Sequence, residues 1–479
     1  MSRMRKTAVD AALSGYWQQA VSGRREFELG LVIGQISTSG ATDALLTGIP
    51  VPSESEDEDA RSFDDVPIDW AQEYAKQIDR LLPGGISIIG LYIVSGAPAR
   101  SVFDQLTFYL RAVAEALSLP DEFAALFNNG SSSVHYVVHV CSNTNKTSVK
   151  SIFDILNAAK TDAIPAELKG SSPASSSDAF VLKKFTTTIA VDEQIAFRTH
   201  TQAGAAADNN EAEVERALDE LQQQLLPLVK RVHSATGILK SRGGESSSTQ
   251  EVLFLTSPCA ASSSQSEEDQ TRRRGSFRGA ISCVAFVLAS EPNARDAAVA
   301  GLKRDFLKSL LLRIELLREK FAADDDASAA DASGQSALPL ANGGGGLAFP
   351  KRASLPWSSA LGPCAHFSAL LHVFQEDGED TEQELAVQNA LEILGSKASS
   401  DAGLSFLESD SELSKNSSSN NSKDNSKSSK SVCKAGSSVA TGAVGTKSSS
   451  GDSRSSNTLF IAVAVLLVLL AILAQRFLL

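Results

Sequence analysis

The chain has 479 residues, 42% of them hydrophobic, and a formal net charge of −13 at pH 7. This length allows two or three compact domains with hydrophobic cores, and the acidity argues against nucleic-acid binding, which needs a basic surface. The cysteines are widely spaced and form no CxxC pair, so a reducing compartment is expected. Residues 1–22, an N-terminal segment, begin with basic side chains but lack the apolar core of a signal peptide.

The pattern of residues 23–160 predicts an α/β domain. A glycine-punctuated apolar run from Phe27 to Gln35 indicates a strand, and the acidic stretch at 51–67 indicates a solvated loop. Asp69 and Gln72 have the spacing of a capping box. A helix is therefore expected to begin at Asp69, with an apolar face made by four residues: Trp70, Tyr74, Ile78 and Leu81.

The remainder of this domain continues the alternation of helix and strand. Pro83-Gly84-Gly85 ends the first helix. The continuous apolar run from Ile86 to Val94 is typical of a central strand buried on both faces. A helix over Ser101–Leu117 and a strand over Val134–Cys141 complete the domain.

A second α/β domain is expected over residues 180–395. Strands are predicted at Phe185–Phe197, Val252–Thr256 and Phe367–Phe374, and Phe277–Ala289 is predicted to be one long strand or a bent pair. Three helices are predicted. One has an apolar face at Leu218, Leu221, Leu225 and Val232, with Pro227 as a kink. A second runs from Ala294 to Phe321, with an apolar stripe at Ala298, Leu302, Phe306, Leu310, Ile314, Leu317 and Phe321. A third runs from Glu382 to Leu394.

Three segments have compositions that predict disorder. They are the loops at 260–276 and 324–346 and a Ser/Asn/Lys-rich tether at 409–456, which cannot bury enough apolar surface to fold. As a random coil the tether would span about 35–40 Å. Arg272, Arg273 and Arg274 lie in the first loop, where we interpret them as solvated; contact with anionic lipid headgroups is the alternative.

Residues 458–474 predict a single transmembrane helix that anchors the C-terminal tail. The run from Leu459 to Ala474 contains no polar residue, and at 1.5 Å per residue the segment would span about 25 Å, which suits a thin bilayer such as the endoplasmic reticulum. A span at this position leaves the N-terminus cytosolic. The anchoring side chains are Leu459, Phe460, Ile461, Val463, Leu466, Leu469, Ile472 and Leu473.

Neither a phosphate-binding loop nor an HExxH, kinase or dinucleotide motif occurs, so we predict no catalytic, metal or cofactor-binding residues and no cofactor. His135, His139 and Cys141 share a strand face and could be zinc ligands. However, residues four apart on a strand are about 13 Å apart, which is too far for one ion. We interpret them as polar residues of a half-exposed strand, and the same objection applies to His366 and His372.

Several short segments resemble, in order and spacing, the odorant response abnormal protein four family. The positions that carry the resemblance, here called the motif residues, are Gly30, Gly34, Gln35, Trp70, Pro83, Gly84, Gly85, Gly90, Asp296, Arg304 and Asp305. The C-terminal apolar span also fits. The resemblance implies an endoplasmic-reticulum membrane protein that assists folding and export of G-protein-coupled receptors. It further implies recruitment of the protease that removes the ubiquitin-fold modifier.

The first half further resembles an MPN (Jab/Mov34-type) domain. Active members follow a G-x-Y strand end with His-x-His and then Ser-x-x-Asp as zinc ligands, whereas here Gly90-Leu91-Tyr92 is followed by Ile93, Val94 and Ser95. Ser101 and Asp104 keep Ser-x-x-Asp, but one carboxylate cannot hold a catalytic zinc, which needs about three protein ligands. The resemblance therefore implies an inactive domain retained for heterodimerisation.

Taken together, the sequence predicts an α+β or α/β protein with two mixed-sheet domains, a tether and a tail anchor. The predicted function is that of a non-enzymatic adaptor whose partners are the lipid bilayer, client receptors and a modifier-specific protease, with no nucleic acid. Two alternatives are an MPN-type metalloprotease or other hydrolase, which lacks its ligands here, and a membrane-fusion component, which would need heptads leading into the anchor.

Overall fold

The computed structural model describes residues 5–23, 25–40, 42–54, 60–127, 134–157, 161–170, 180–198, 210–240, 249–255, 272–328, 350–359, 362–374, 381–394 and 404–408. Helices and three separate sheets alternate along this part of the chain, which confirms the predicted mixed α+β class. The helices are α1 (Ala11–Ser22), α2 (Ile68–Leu81), α3 (Ala99–Ala116), α4 (Asp121–Phe127), α5 (Asn210–Ser234), α6 (Ala294–Ser328) and α7 (Thr381–Ile393).

The strands occur in three groups along the chain. The first group is β1 (Lys6–Val9), β2 (Phe27–Gln35), β3 (Asp43–Pro50), β4 (Ser87–Ser95), β5 (Val134–Cys141), β6 (Lys146–Phe153), β7 (Asp162–Pro165) and β8 (Glu167–Gly170). The second is β9 (Leu182–Arg198), β10 (Thr236–Lys240), β11 (Thr249–Leu255) and β12 (Arg272–Leu288). The third is β13 (Lys351–Ser359), β14 (Gly362–Val373) and β15 (Ser405–Phe406).

The first sheet closes on itself. Its strand order is β7-β6-β5-β4-β2-β3-β1-β8, yet its two end strands are consecutive in the chain and separated only by Ala166. The backbone N–H of Ala166 donates to Val149 O at 3.0 Å, and that of Glu167 donates to Arg5 O at 3.2 Å. β7 pairs with β6, and β8 pairs with β1. Because β7 and β8 form one extended segment, this segment bridges β6 and β1 and leaves few unpaired strand edges on which another chain could aggregate.

The two faces of this sheet contact different helices. Leu13 and Trp17 of α1 pack with Val32, Tyr92 and Tyr136 on one face. The other face belongs to a larger core that includes the buried residues of α2 and α3 and reaches into the second and third sheets. The predicted apolar face of α2 is largely confirmed, since Tyr74, Ile78 and Leu81 are buried and Trp70 is half-buried.

The second sheet, in the order β10-β11-β9-β12, is covered on one face by α5 and α6. The predicted apolar positions of both helices meet in one cluster with Phe185, Ile189 and Cys283 of the sheet: Leu218, Leu221, Leu225, Val232, Ala298, Leu302, Phe306, Leu310, Ile314 and Leu317. Pro227 lies inside α5. The third sheet, β14-β13-β15, packs against α7 and α2.

Three local predictions are wrong. The helix start predicted at Asp69 is displaced: α2 begins at Ile68, after Pro67, and no side chain caps it. Asp69 lies instead in the first turn, where its negative charge interacts favourably with the helix dipole. Residues 272–276 form the start of β12, since backbone pairing with β9 compensates for their polarity. Residues 324–328 continue α6. A further capping box, at Ser62 and Asp65, occurs within the predicted acidic loop.

The first and second sheets meet where Pro83-Gly84-Gly85 lies against β12. Gly84 N–H donates to Val284 O and Phe286 N–H donates to Gly84 O, both at 2.9 Å, which forms an isolated parallel bridge. Gly85 has φ +79°, a conformation that favours glycine. A Cβ at Gly84 would lie 2.4 Å from Gly301 O of α6. Only glycine therefore lets loop, strand and helix approach this closely.

We predict that Gly84→Ala destabilises the protein by about 1–3 kcal/mol, because the added methyl forces the loop away from α6. The matched control is Gly15→Ala in α1, where a Cβ would meet nothing within 4 Å and which should stabilise the helix by up to about 1 kcal/mol. Urea unfolding of the two variants measures both effects. Equal stabilities would contradict the proposed tight junction.

Candidate functional site

The contact of Pro83-Gly84-Gly85 with β12 is called the junction below; it joins the first half of the chain, which forms the first sheet, to the second half, which forms the other two. Gln35 at the end of β2 connects these two halves. Its Nε2 donates to Gly85 O at 2.8 Å and to Phe286 O at 2.9 Å, while its Oε1 accepts from Leu288 N–H at 2.7 Å. One buried amide thus satisfies three backbone groups on two segments. An unsatisfied buried backbone group costs about 1–3 kcal/mol, so this side chain contributes strongly to the junction.

Asp305 of α6 and Arg352 of β13 form a buried ion pair beside the junction. The guanidinium donates to both carboxylate oxygens, at 2.5 and 2.8 Å, and to Ser282 O at 3.0 Å. Asp305 also accepts from Val284 N–H at 2.8 Å. Both side chains are 1% exposed or less. The pKa of Arg352 is raised, because its attraction to Asp305 outweighs the effect of desolvation.

A second ion pair extends this cluster to the last described segment, residues 404–408. Arg313 Nη2 of α6 donates to the two carboxylate oxygens of Glu408 at 2.6 and 2.8 Å. Glu408 also accepts from the backbone N–H of Ser282 at 2.8 Å and of Arg352 at 3.1 Å. We call Ser282, Asp305, Arg313, Arg352 and Glu408 the ionic cluster. It attaches the end of the described chain to β12 and α6.

His372 of β14 borders the ionic cluster. Its Nε2 lies 2.8 Å from Ser309 Oγ. Burial lowers the pKa of His372 well below its ordinary value, and the positive charges of Arg352, Arg313 and Lys308 lower it further. The ring is therefore neutral at physiological pH. Nearby, burial raises the pKa of Cys283 well above its ordinary value, so this thiol is a poor nucleophile.

A third contact between the halves involves Glu291, which precedes α6. Its carboxylate accepts from Ser37 Oγ at 2.8 Å, from Thr38 Oγ1 at 2.9 Å and from Ser39 N–H at 3.2 Å. Glu291 is 8% exposed. The loop after β2 is thereby fixed to the second half independently of Gln35.

Five of the eleven motif residues lie at this junction, and three more are glycines at close contacts elsewhere in the first sheet. Gln35, Pro83, Gly84, Gly85 and Asp305 lie at it, as described above. A Cβ would clash at three other motif glycines, at which its nearest atom is 2.2 Å away or closer: Gly30, Gly34 and Gly90. The other motif residues are apart from the junction: Trp70 Nε1 donates to Pro52 O at 2.9 Å, and Asp296 and Arg304 are exposed on α6.

The positions that would carry zinc in an active MPN domain do not form a ligand set. Ile93 is buried, while Ser101 and Asp104 are exposed on α3. Ser95 Oγ lies 3.3 Å from His139 Nε2, and burial lowers the pKa of His139. Within the described part of the chain, no three His, Cys, Asp or Glu side chains are placed to share a metal ion.

The other histidines singled out from the sequence are dispersed. Burial lowers the pKa of His135 to about 4, and His135 and Cys141 are only partly buried, unlike His139. His366 Nε2 lies 3.0 Å from Asp10 Oδ2, which links β14 to the start of α1. His366 and His372 thus have separate partners, as their spacing suggested.

The membrane-anchor residues at 458–474 lie outside the described residues, as does the tether at 409–456. Among the helices that the structure describes, none is long and apolar enough to cross a bilayer.

Sequence reasoning missed Glu291, Arg313, Arg352 and Glu408. Their partners lie far along the chain, so no short motif marks them. The available signal was weak: Arg313 interrupts the apolar run of α6, and Arg352 begins a strand whose neighbours are apolar. A charge in an otherwise buried element indicates a buried partner.

A sequence profile of the ODR4-like family, described as odorant response abnormal 4-like, matches residues 30–402. The chain belongs to this family. All the motif residues and four of the five members of the ionic cluster fall inside the matched range, whereas Glu408 and the predicted anchor follow it.

Individual proteins agree with this assignment. The chain is 26% identical to the protein odr-4 homologs of Pongo abelii and Homo sapiens, over 62% of its own length and 66% of theirs. It is 22% identical to the Xenopus tropicalis homolog, over 65% of its length and 70% of that protein. The chain thus spans slightly less than two thirds of the length of the first two relatives.

Two solved structures have a distant resemblance to this ODR4-like chain. The crystal structure of UfSP from C. elegans covers 82% of this chain and 57% of its own, with 10% identity and a TM-score of 0.32. The solution structure of protein DSY2949 from Desulfitobacterium hafniense covers 35% of this chain and 95% of its own, with 14% identity and a TM-score of 0.20.

We predict that Arg352→Met destabilises this ODR4-like protein by about 3–5 kcal/mol, because it leaves the buried charge of Asp305 unpaired. Adding Asp305→Asn should recover part of the loss. The control is Lys240→Met, since the exposed Lys240–Glu251 pair should contribute less than about 1 kcal/mol. Chemical denaturation measures all three variants, and equal losses for Arg352→Met and Lys240→Met would contradict a buried, unscreened pair.

The lowered pKa of His372 predicts a pH dependence. Below about pH 6.5 the unfolded chain takes up a proton that the folded protein does not, so stability falls as pH falls, by at most about 1.4 kcal/mol per pH unit from this group. The variant His372→Gln should lose less stability between pH 6.5 and pH 4. Denaturation at several pH values tests this, and parallel curves for the two proteins would contradict it.

Proposed function

We propose that this ODR4-like protein is a non-enzymatic adaptor on the cytosolic face of the endoplasmic reticulum, anchored by residues 458–474. The observation that carries this proposal is that eight of the eleven motif residues have a packing role, five at the junction and three as glycines at close contacts, rather than forming a reactive site. The family membership and the odr-4 homologs support a role connected with odorant-type receptors. We further propose that the protein assists folding and export of G-protein-coupled receptors and recruits the protease of the ubiquitin-fold modifier.

We retain the inactive MPN-like character of the first half as part of this proposal. The closed mixed sheet and the replacement of His-x-His by Ile93 and Ser95 are consistent with it. In this view the first half is a surface for heterodimerisation with the protease. The two-domain organisation, residues 23–160 and 180–395, is proposed with it, the junction holding the domains together.

The anchor is tested by extraction of cell membranes with alkaline carbonate. The full chain should remain in the membrane fraction, and the double variant Leu466→Gln/Leu469→Gln should be released, because two polar side chains disfavour insertion. The control pair Leu478→Gln/Leu479→Gln lies outside the apolar run and should be retained. Release of the full chain would contradict the anchor.

The adaptor role is tested by proximity labelling from the full chain and from a chain that ends at Ser456. Seven-helix receptors and a modifier protease should be labelled by the anchored chain and depleted with the truncated one. Finding neither would contradict the adaptor role. Isopeptidase activity of the purified chain that Asp104→Ala abolishes would favour the metalloprotease alternative.

A further inference from the structure

The last described segment, residues 404–408, lies along one edge of β13. We call these five residues the strap. The other edge of β13 pairs with β14, whereas the strap contributes only two residue pairs, through β15. Two further backbone contacts hold it: Leu407 N–H donates to Arg352 O at 2.9 Å, and Leu407 O accepts from Ser282 Oγ at 3.0 Å. The strap is therefore a short strand added to the edge of the third sheet.

The side chains of the strap divide into buried anchors and exposed positions. Leu404 and Leu407 are partly buried and pack against the larger hydrophobic core. Ser405 and Phe406 between them are exposed, Phe406 by 36%. The side chain of Glu408 is 8% exposed. The strap is thus held by a Leu-x-x-Leu-Glu pattern, in which the two middle positions contribute little beyond their backbone.

The carboxylate of Glu408 fits a site built from one guanidinium and two backbone N–H groups. It accepts two hydrogen bonds from Arg313 Nη2, at 2.6 and 2.8 Å, one from Ser282 N–H at 2.8 Å and one from Arg352 N–H at 3.1 Å. The side chain of Arg313 is 5% exposed. We call these three donor residues the acceptor. Because hydrogen bonds between charged groups are the strong ones, the carboxylate makes the dominant contact of the strap.

An empty acceptor is disfavoured by the same contacts. Among the described residues, Glu408 is the carboxylate that pairs with Arg313. Its removal would leave a buried guanidinium without a counter-charge and two backbone N–H groups without an acceptor, and both are costly in a buried site. The strap therefore does not simply detach. It leaves the acceptor readily only when another carboxylate takes its place.

The acceptor and the strap differ in their relation to the family. The range matched by the ODR4-like profile, residues 30–402, includes Ser282, Arg313 and Arg352, whereas the strap follows that range. Glu408 is also distant from its partners along the chain, 95 residues from Arg313 and 126 from Ser282. The acceptor thus belongs to the part of the chain that matches the family, and the segment that fills it is a separate addition.

We infer that the acceptor is a binding site for an extended Leu-x-x-Leu-Glu segment of a partner protein, and that the strap fills the site until such a segment replaces it. The incoming segment adds a strand to the edge of β13 and supplies the carboxylate that Arg313 requires. This inference goes beyond the proposed function, because it depends on neither the anchor nor the identity of the partners. A segment of the same chain competes at an effective concentration of about 1 mM.

The first test is site-resolved hydrogen exchange of the unsubstituted full chain. The probe is the end-capped peptide Leu-Ser-Phe-Leu-Glu, at about 5 mM so that it exceeds the effective concentration of the strap. Leu407 N–H should then exchange about fivefold faster, because the strap is displaced. Ser282 and Arg352 N–H should stay protected, because the carboxylate of the peptide replaces that of Glu408. A control peptide that ends in glutamine should change nothing.

A variant and a matched control extend the test. Glu408→Ala removes the carboxylate, so the N–H groups of Ser282 and Arg352 should exchange about tenfold faster, the effect of losing a hydrogen bond to a charged group. Adding the acidic peptide should restore their protection, and the glutamine peptide should not. The control is Glu392→Ala, which removes an exposed glutamate of α7 and should leave exchange at both sites unchanged.

Three outcomes would overturn the inference. The first is unchanged exchange of Leu407 N–H in the acidic peptide, a result that decides the matter even if Glu408→Ala does not fold. The second is an equal effect of the acidic and glutamine peptides. The third is a dimer of the unsubstituted chain, seen by sedimentation and lost in Glu408→Ala, which would assign the acceptor to the strap of a second copy instead of a partner protein.

Discussion

The structure depends on one constraint: three backbone segments approach too closely at Gly84 for any side chain to fit between them. The loop after α2, the centre of β12 and Gly301 of α6 meet there, with backbone hydrogen bonds between loop and strand. Gln35 completes the contact by satisfying backbone groups on both sides. Since these groups are buried, losing that amide would leave them unpaired, and neither half could repair the loss alone.

The main effect of the ionic cluster beside this contact is to specify how α6, β13 and residues 404–408 pack together. Its net contribution to the free energy of unfolding is smaller. Buried ion pairs often contribute little net stability, because desolvation offsets their attraction, but breaking one is costly. Asp305 and Arg352 therefore penalise any packing of α6 on β13 that separates them. Glu408 and Arg313 apply the same penalty to displacement of residues 404–408. In this family member, the buried charges determine where each element packs.

Much of the local structure could be predicted from the sequence. The bounds of β2 and β5 agree with the predicted ones, and the apolar stripe of α6 is buried along its described length. These successes have a common cause: each element is a continuous segment marked by its apolar residues, as a nearly unbroken buried run in β2 and β5 and as a stripe at helical spacing in α6. The predicted cap at Asp69 failed because an isolated capping pattern does not outweigh the backbone preference of the preceding proline.

The closed first sheet, the junction and the ionic cluster could not be predicted because each depends on partners distant in the chain. Strands β7 and β8 are short and polar, and they are strands only because β6 and β1 are available to pair with them. The motif residues did locate Gln35, Gly84 and Asp305, but not what they contact. A sequence motif can therefore select the residues that matter, but it does not predict which distant residues they contact.

The same reasoning explains why the arginines of β12 were predicted to lie in a loop. A run of three arginines carries no apolar periodicity, and its pairing partner on β9 lies more than 70 residues away. Only the long ladder of β9 and β12 extends order into this polar stretch. Because β12 also contacts Gly84 and Glu408, the same strand joins the junction to the ionic cluster.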